Sequence, residues 1–167
     1  MTRAILDDHL LRDLLAADMP DALAEILADR EPATTNLYYL RLCKSVVSAR
    51  GGALTGRWPA ERRRSLGRVL HELAESIEVV PVRSLALRMA ELAQAHPIST
   101  LGAEAVAAAL YLEAPLCVWA GDDGPGIRAA ADASGLAYLA ISRDSPPSGR
   151  TTVSSDHDAE LEHIFAS

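Results

Sequence analysis

HPISTLGAEAVAAALYLEAPLCVWAGDDGPGIRAAADASGLAYLA, residues 96–140, is the stretch whose reading decides the fold. Ala103 to Leu112 is an Ala-rich helix led by Thr100, and Pro115 breaks it, because a proline has no N–H to give and its ring clashes with the turn before it. Leu116 to Trp119 is a four-residue apolar run, short enough to be a buried strand. Gly121-Asp122-Asp123-Gly124-Pro125-Gly126 is a loop by composition. A helix to Ser134 follows, Gly135 terminates it, and Leu136 to Ile141 is a second strand. Helix, strand, helix, strand is the unit of a parallel sheet covered on both faces. An acidic loop at the carboxyl end of such a strand lies where open α/β sheets bind ligands.

Upstream, the same alternation continues. Ala4-Ile5-Leu6 is a minimal strand ending in Asp7-Asp8, either of which is a natural N-cap for a helix over His9 to Ala17 with Leu10, Leu11, Leu14 and Leu15 at helical spacing. Pro20 opens a second helix to about Asp29. Pro32 to Thr35 is extended, and Asn36 is expected to cap a long helix that Gly51-Gly52 ends. Ala60 to Ile77 is amphipathic, Glu78 to Val82 is a short Val-rich strand, and Ser84 is expected to cap a helix carrying Leu85, Met89, Leu92 and His96 on one face. Five strands separated by helices predict a central parallel sheet with helices on both faces. After Ile141 the chain turns rich in Ser, Pro, Gly and Thr. The domain is therefore expected over 1–141, with a flexible tail over 142–167 that holds a short helix at Asp158 to Phe165. Burial of Val153 and Phe165 against another chain would make that tail a dimerisation arm.

The 167 residues, 49% of them hydrophobic, suffice for one core, while mean hydropathy of +0.07 is too low for a membrane span. Met1 to Met19 holds Arg3, Asp7, Asp8, Arg12, Asp13 and Asp18 and does not read as a signal peptide, so a cytoplasmic chain is expected. Cys43 and Cys117 lack metal-ligand spacing and read as buried free thiols. Net charge of −7 opposes indiscriminate phosphate binding. Arg62, Arg63, Arg64 and Arg68 form a local basic group, diluted by Glu61, Glu72 and Glu75, that reads as a solvated helix face rather than a nucleic-acid contact.

One constellation carries chemistry. Asp7 and Asp8 end the first strand, Glu104 sits in the first turns of the central helix, and Asp122 and Asp123 follow the strand Leu116 to Trp119. If those two strands are neighbours, the carboxylates meet at one edge of the sheet, as a hard divalent cation requires. The five histidines show no paired ligand spacing, and no nucleophile elbow or phosphate-cradling Gly motif occurs.

The order Ile5-Leu6-Asp7-Asp8-His9-Leu10-Leu11, then Thr34-Thr35 leading into a helix, Glu104-Ala105-Val106-Ala107-Ala108-Ala109 running to Ala114-Pro115-Leu116, and Asp122 before Arg128-Ala129-Ala130 and Gly135-Leu136, resembles the PIN (PilT N-terminus-like) domain family over about residues 3 to 141. The resemblance implies a three-layer α/β/α sandwich with a mainly parallel five-stranded sheet. It also implies Mg²⁺- or Mn²⁺-dependent ribonuclease activity and, as in the family's toxins, a protein antitoxin as partner. Asp7 fits the family's first acid, and Asp8 takes the small-polar place after it. The second acid, normally a Glu, falls on or beside Arg41, a reversal of charge. The usual spacing of the third points to Gly102, and Glu104 matches it when the helix start shifts by two residues. Asp122 fits the fourth acid, Asp123 adds a further ligand, and Val118 stands where Thr or Ser is frequent.

Arg41 and Lys44 share a helix face that is expected to look into the acidic cleft, where a guanidinium would supply the positive charge that a metal otherwise supplies. Two functions follow from the resemblance. In one, Asp7, Glu104 and Asp122 hold an ion that activates water against RNA. In the other, Arg41 and Lys44 quench the acids, and the chain is a binding module for a protein partner. A homodimer is compatible with both.

Overall fold

The computed structural model describes residues 2–48 and 50–143. Five strands, β1 (Thr2–Leu6), β2 (Arg30–Thr35), β3 (Glu78–Val80), β4 (Leu116–Trp119) and β5 (Tyr138–Ile141), form one sheet in the order β3-β2-β1-β4-β5, every neighbouring pair parallel. The helices are α1 (Asp8–Leu15), α2 (Asp21–Leu27), α3 (Asn36–Val47), α4 (Gly52–Thr55), α5 (Ala60–His71), α6 (Val82–Ala95), α7 (Thr100–Leu112) and α8 (Pro125–Ala133). The expected α/β/α sandwich with a parallel five-stranded sheet is the fold observed.

Alternation along the strands sorts the two faces. Ile5, Ala33, Leu116 and Val118 turn to a core shared with α6, α7 and α8, whereas Ala4, Leu6 and Cys117 turn to α1 and α2. A third cluster joins Leu11, Leu42, Leu54, Leu66, Leu70 and Ile77, tying α1 to α3, α4 and α5. The run Ala103 to Ala109 is buried throughout, Glu104 included. Side chains of one methyl let α7 lie close against both the sheet and α6, which the larger residues of an ordinary amphipathic helix would prevent.

The sheet order fixes where a site can form. From β1 the chain builds outward through β2 and β3, then returns to the other side of β1 for β4 and β5. The order therefore reverses between β1 and β4, and the helices leaving those two strands open a crevice at their carboxyl ends. Asp7, Asp8 and His9 follow β1, and a 3₁₀ turn over Ala120–Asp122 follows β4.

Several local expectations give way to packing. Thr35, not Asn36, caps α3: its Oγ1 accepts the Tyr38 N–H at 3.2 Å, while the Asn36 amide donates to the Val80 carbonyl at 2.7 Å. Pro81 holds the capping position of α6 in place of Ser84. The amphipathic stretch after Ala60 stops being helical at His71, yet Ile77 still reaches the α5 core. Helix α3 ends at Val47, and the Gly51 φ of +67° starts the short helix α4 that composition hid. The tail over 144–167, with its expected helix and dimerisation arm, lies outside the described residues. Arg143 before it is anchored, donating to the carbonyl and carboxylate of Asp18 at 3.1 and 3.2 Å. Among the described residues no helix is long and apolar enough to cross a membrane.

The tight seat of α7 sets the first prediction. Ala108→Leu adds three carbons at a fully buried site with no room to receive them. Chemical denaturation should show a loss of about 1–3 kcal/mol with an unchanged m value. No loss would mean that α7 is not packed as described.

Candidate metal and acid site at the switch point

Asp7 is the hinge of the site. Its φ of −71° and ψ of 179° place it as the N-cap of α1, where Oδ1 accepts the Leu10 N–H at 2.9 Å. Its other oxygen crosses to β4 and accepts the Trp119 N–H at 2.8 Å. Both oxygens are thus committed to backbone, and the residue is 3% exposed. Burial pushes its carboxyl up to about 7, the two N–H donors pull it back, and the charges of Asp8 and Asp122 add to the rise.

Asp8, fully buried in the first turn of α1, accepts the His9 N–H on Oδ1 at 3.0 Å. Its Oδ2 has no hydrogen bond and faces Nη1 of Arg41 at 3.3 Å. Burial raises its pKa, and the Arg41 charge is the largest force opposing the rise. Arg41 thus reaches the acids, through Asp8. Lys44 lies one turn further on, lining with Arg41 a groove of about 310 Å³ floored by Gly51 and Gly52.

His9 is the residue that sequence spacing did not single out. It is buried, its ring sits 4.5 Å from the Trp119 ring at 32°, and Nε2 lies 3.7 Å from Oδ2 of Asp122. Burial lowers its pKa more than the carboxylates of Asp8 and Asp122 raise it, so the imidazole is held towards its neutral, metal-binding form. Trp119 keeps this place because Gly121 has no side chain: a Cβ there would lie 2.3 Å from the indole. Asp8, His9 and Asp122 offer ligand atoms all within 4.8 Å of one another, and among the described residues they are the set so placed.

Of the residues expected at the site, Asp122 belongs to this cluster and Asp7 borders it. Glu104 is fully buried on α7, where Oε1 accepts the Leu37 N–H at 2.8 Å and so satisfies a first-turn donor of α3, while Oε2 has no hydrogen bond. Asp123 turns away to Arg128 and to the Tyr138 hydroxyl, the latter at 2.6 Å, and these contacts lower its pKa. The signal for His9 was its place next to Asp8. What gives that place meaning, the stacking on Trp119, depends on β1 and β4 being neighbours.

The donor set of two carboxylates and one imidazole fits a divalent cation. Asp8 contributes a buried oxygen without a hydrogen bond, Asp122 an accessible carboxylate, and the imidazole suits Mn²⁺ better than Mg²⁺, which prefers oxygen alone.

The raised pKa of Asp7 has a sign that can be measured. Between about pH 4 and 7 the folded chain holds a proton on Asp7 that the unfolded chain has released, so this residue's contribution to stability falls as pH rises through that window and levels above it. His9, with its lowered pKa, works in the opposite direction. The comparison is therefore between wild type and Asp7→Asn. Denaturation midpoints taken from pH 4 to 8 should show the variant lacking a downward slope of up to about 1.4 kcal/mol per pH unit. Parallel curves for the two proteins would show that Asp7 ionises normally.

No family model and no curated protein matches this chain. Among solved structures it is similar to a chain of a toxin–antitoxin complex from Klebsiella pneumoniae, at 17% identity and a TM-score of 0.51, over 74% of this chain and 92% of that one. The likeness is one of fold.

Proposed function

We propose that this chain is a divergent PIN-type ribonuclease of the toxin class, which hydrolyses RNA phosphodiesters with Mn²⁺ or Mg²⁺ held by Asp8, His9 and Asp122, and whose activity Arg41 holds down. The observation that carries this reading is the convergence of those three side chains at the switch point beside β1 and β4, with Arg41 at 3.3 Å from the most buried of them. The fold shared with a chain of a toxin–antitoxin complex supports it. A protein antitoxin is the partner that this reading implies.

When bound, the ion supplies a polarised water and a positive charge beside the scissile phosphate. The chain's own residues set the stage. Asp7 aligns α1 against β4 and thereby aims Asp8 and His9 at Asp122. Burial keeps the His9 imidazole neutral, the form in which it can join the Asp8 and Asp122 carboxylates as a ligand. Arg41 and Lys44, which line one groove, offer charge to the RNA backbone once Arg41 leaves Asp8.

The alternative, a binding module with quenched acids, draws on the same ion pair. Arg41 already neutralises Asp8 without a metal. Two unit charges about 4 Å apart repel by about 4 kcal/mol at an effective dielectric of about 20, and by less here because the Arg41 side chain is 44% exposed.

Calorimetry with Mn²⁺ separates the readings. Wild type should bind weakly, Arg41→Glu should bind at least about tenfold more tightly and cleave single-stranded RNA faster, and His9→Ala should lose the gain. Tight binding by wild type that Arg41→Glu leaves unchanged would remove the restraint assigned to Arg41. Absence of binding in both proteins would leave the binding module.

A further inference from the structure

Outside the acid site, the most unusual surface lies between α3 and α5. A groove of about 560 Å³ runs there with Val46, Val47 and Gly67 in it and Arg63, Arg64 and Arg68 along its edge. Val47 is 82% exposed. The arginines are unusual in a second way. Arg41, Arg62 and Arg143 each meet a carboxylate, whereas among the described residues Arg63, Arg64 and Arg68 meet none: Arg63 donates to the Ser48 carbonyl and Arg68 to the Ser65 hydroxyl. Among the described residues Glu72 is the acid that lines this groove, and His71 beside it adds charge only when protonated. An apolar strip edged by unpaired guanidinium groups calls for an occupant that is apolar on one side and acidic on the other.

The chain contains such a segment. Residues 156–165, DHDAELEHIF, carry Asp156, Asp158, Glu160 and Glu162 and no Lys or Arg. Leu161, Ile164 and Phe165 recur at the spacing that gathers apolar side chains on one helical face. The described chain ends close by. Arg143 donates to Asp18, whose carboxylate also lies 3.6 Å from Nη2 of Arg62, the α5 residue adjoining Arg63. The 13 residues from Asp144 to Asp156 can span roughly 40 Å, more than the length of α5.

We propose that the α3–α5 groove is the docking site of this chain's own acidic C-terminal segment, residues 156–165. Leu161, Ile164 and Phe165 cover Val46 and Val47, and the carboxylates pair with Arg63, Arg64 and Arg68. RNA fits the groove less well. Phosphates would satisfy the arginines but leave the valines against water, and the net charge of −7 opposes them. Tethering favours the segment over any free peptide, because the attached segment is present at high effective concentration.

The test uses the full chain with Cys43→Ser, Val47→Cys and Ile164→Cys. Cys117 remains, but it is buried and its thiol is pushed up to about 12, so it does not compete. Under mild oxidation, mass spectrometry should find a disulfide between positions 47 and 164 within one chain. It should form about tenfold faster than in the same protein carrying Arg64→Glu and Arg68→Glu, with circular dichroism confirming that both are folded. Equal rates would show tether proximity without docking and overturn the proposal. Disulfides only between chains would assign the groove to a second copy. A short single-stranded RNA that binds wild type but not the Arg64→Glu, Arg68→Glu protein, with bridging unaffected by those substitutions, would assign it to nucleic acid. Each of these last two results also overturns docking within one chain. None of the three depends on the acid site, so failure here leaves the metal reading untouched.

Discussion

The carboxylate of Asp7 is the contact on which the rest of the site depends. β1 and β4 share only a short register, Ile5 opposite Leu116 and Leu6 opposite Cys117. The ladder's next bond runs from the Asp7 N–H to the Cys117 carbonyl at 3.1 Å, and there the strands part because α1 must begin. The next donor on β4, the N–H of the half-buried Trp119, would be left without a partner in the sheet. Asp7 supplies one from its side chain while its other oxygen caps α1. A single residue thus ends one strand, starts one helix and holds a second strand beside both. Asn could not do this equally, since its amide nitrogen would face one of the two N–H donors.

That arrangement concentrates acid where water is scarce. Asp7, Asp8 and Glu104 are all buried, and Asp8 and Glu104 each keep an oxygen without a hydrogen bond. Ordinary folding would select against such groups, because an unsatisfied buried carboxylate oxygen costs more than a hydrogen bond returns. For Asp8, electrostatic compensation comes from outside the core, from a cation at the surface. Arg41 provides part of that compensation from a half-exposed position, tethered to α3. The first turn of α3 is itself held by Thr35 and Glu104. The acid and the base therefore share one scaffold, and moving α3 would change the charge of the cleft.

Much of this was legible in the sequence, and the reasons for what was not are physical. Short apolar runs alternating with helical periods located four strands, because a parallel sheet buried on both faces leaves that pattern, while β2, REPATT, was legible only as an extended segment between two helices. The acids at the ends of β1 and β4 were visible for the same reason: a charge that closes an apolar run is conspicuous. The choice between Thr35 and Asn36 as cap was not visible, since both residue types cap helices and only the position of Val80 decides which side chain is engaged elsewhere. Glu104 was read as a site residue from its place in the first turns of the central helix and from the family's third acid. Its bond to the Leu37 N–H needs the packing of α7 against α3, which local pattern does not encode. His9 escaped for the same reason, its meaning resting on a tryptophan and an aspartate more than a hundred residues away.

Charge neutralisation and chemistry are separable demands on this crevice, and Arg41 meets only the first. A guanidinium lowers the cost of a buried Asp8 at any relevant pH, and so serves folding. It has no vacant coordination position and cannot lower the pKa of a bound water as a divalent ion does. A chain whose acids were balanced only by a metal would be less stable whenever the ion was absent, because Asp8 would then lack the Arg41 charge, the largest force that opposes the rise in its pKa. Arg41 at 3.3 Å from Asp8 removes that dependence and, on the proposed reading, in the same act raises the threshold for the ion. On the metal reading proposed above, stability without metal and readiness for metal are thus set against each other by one side chain, and the charge at position 41 then matters more than the number of acids around it.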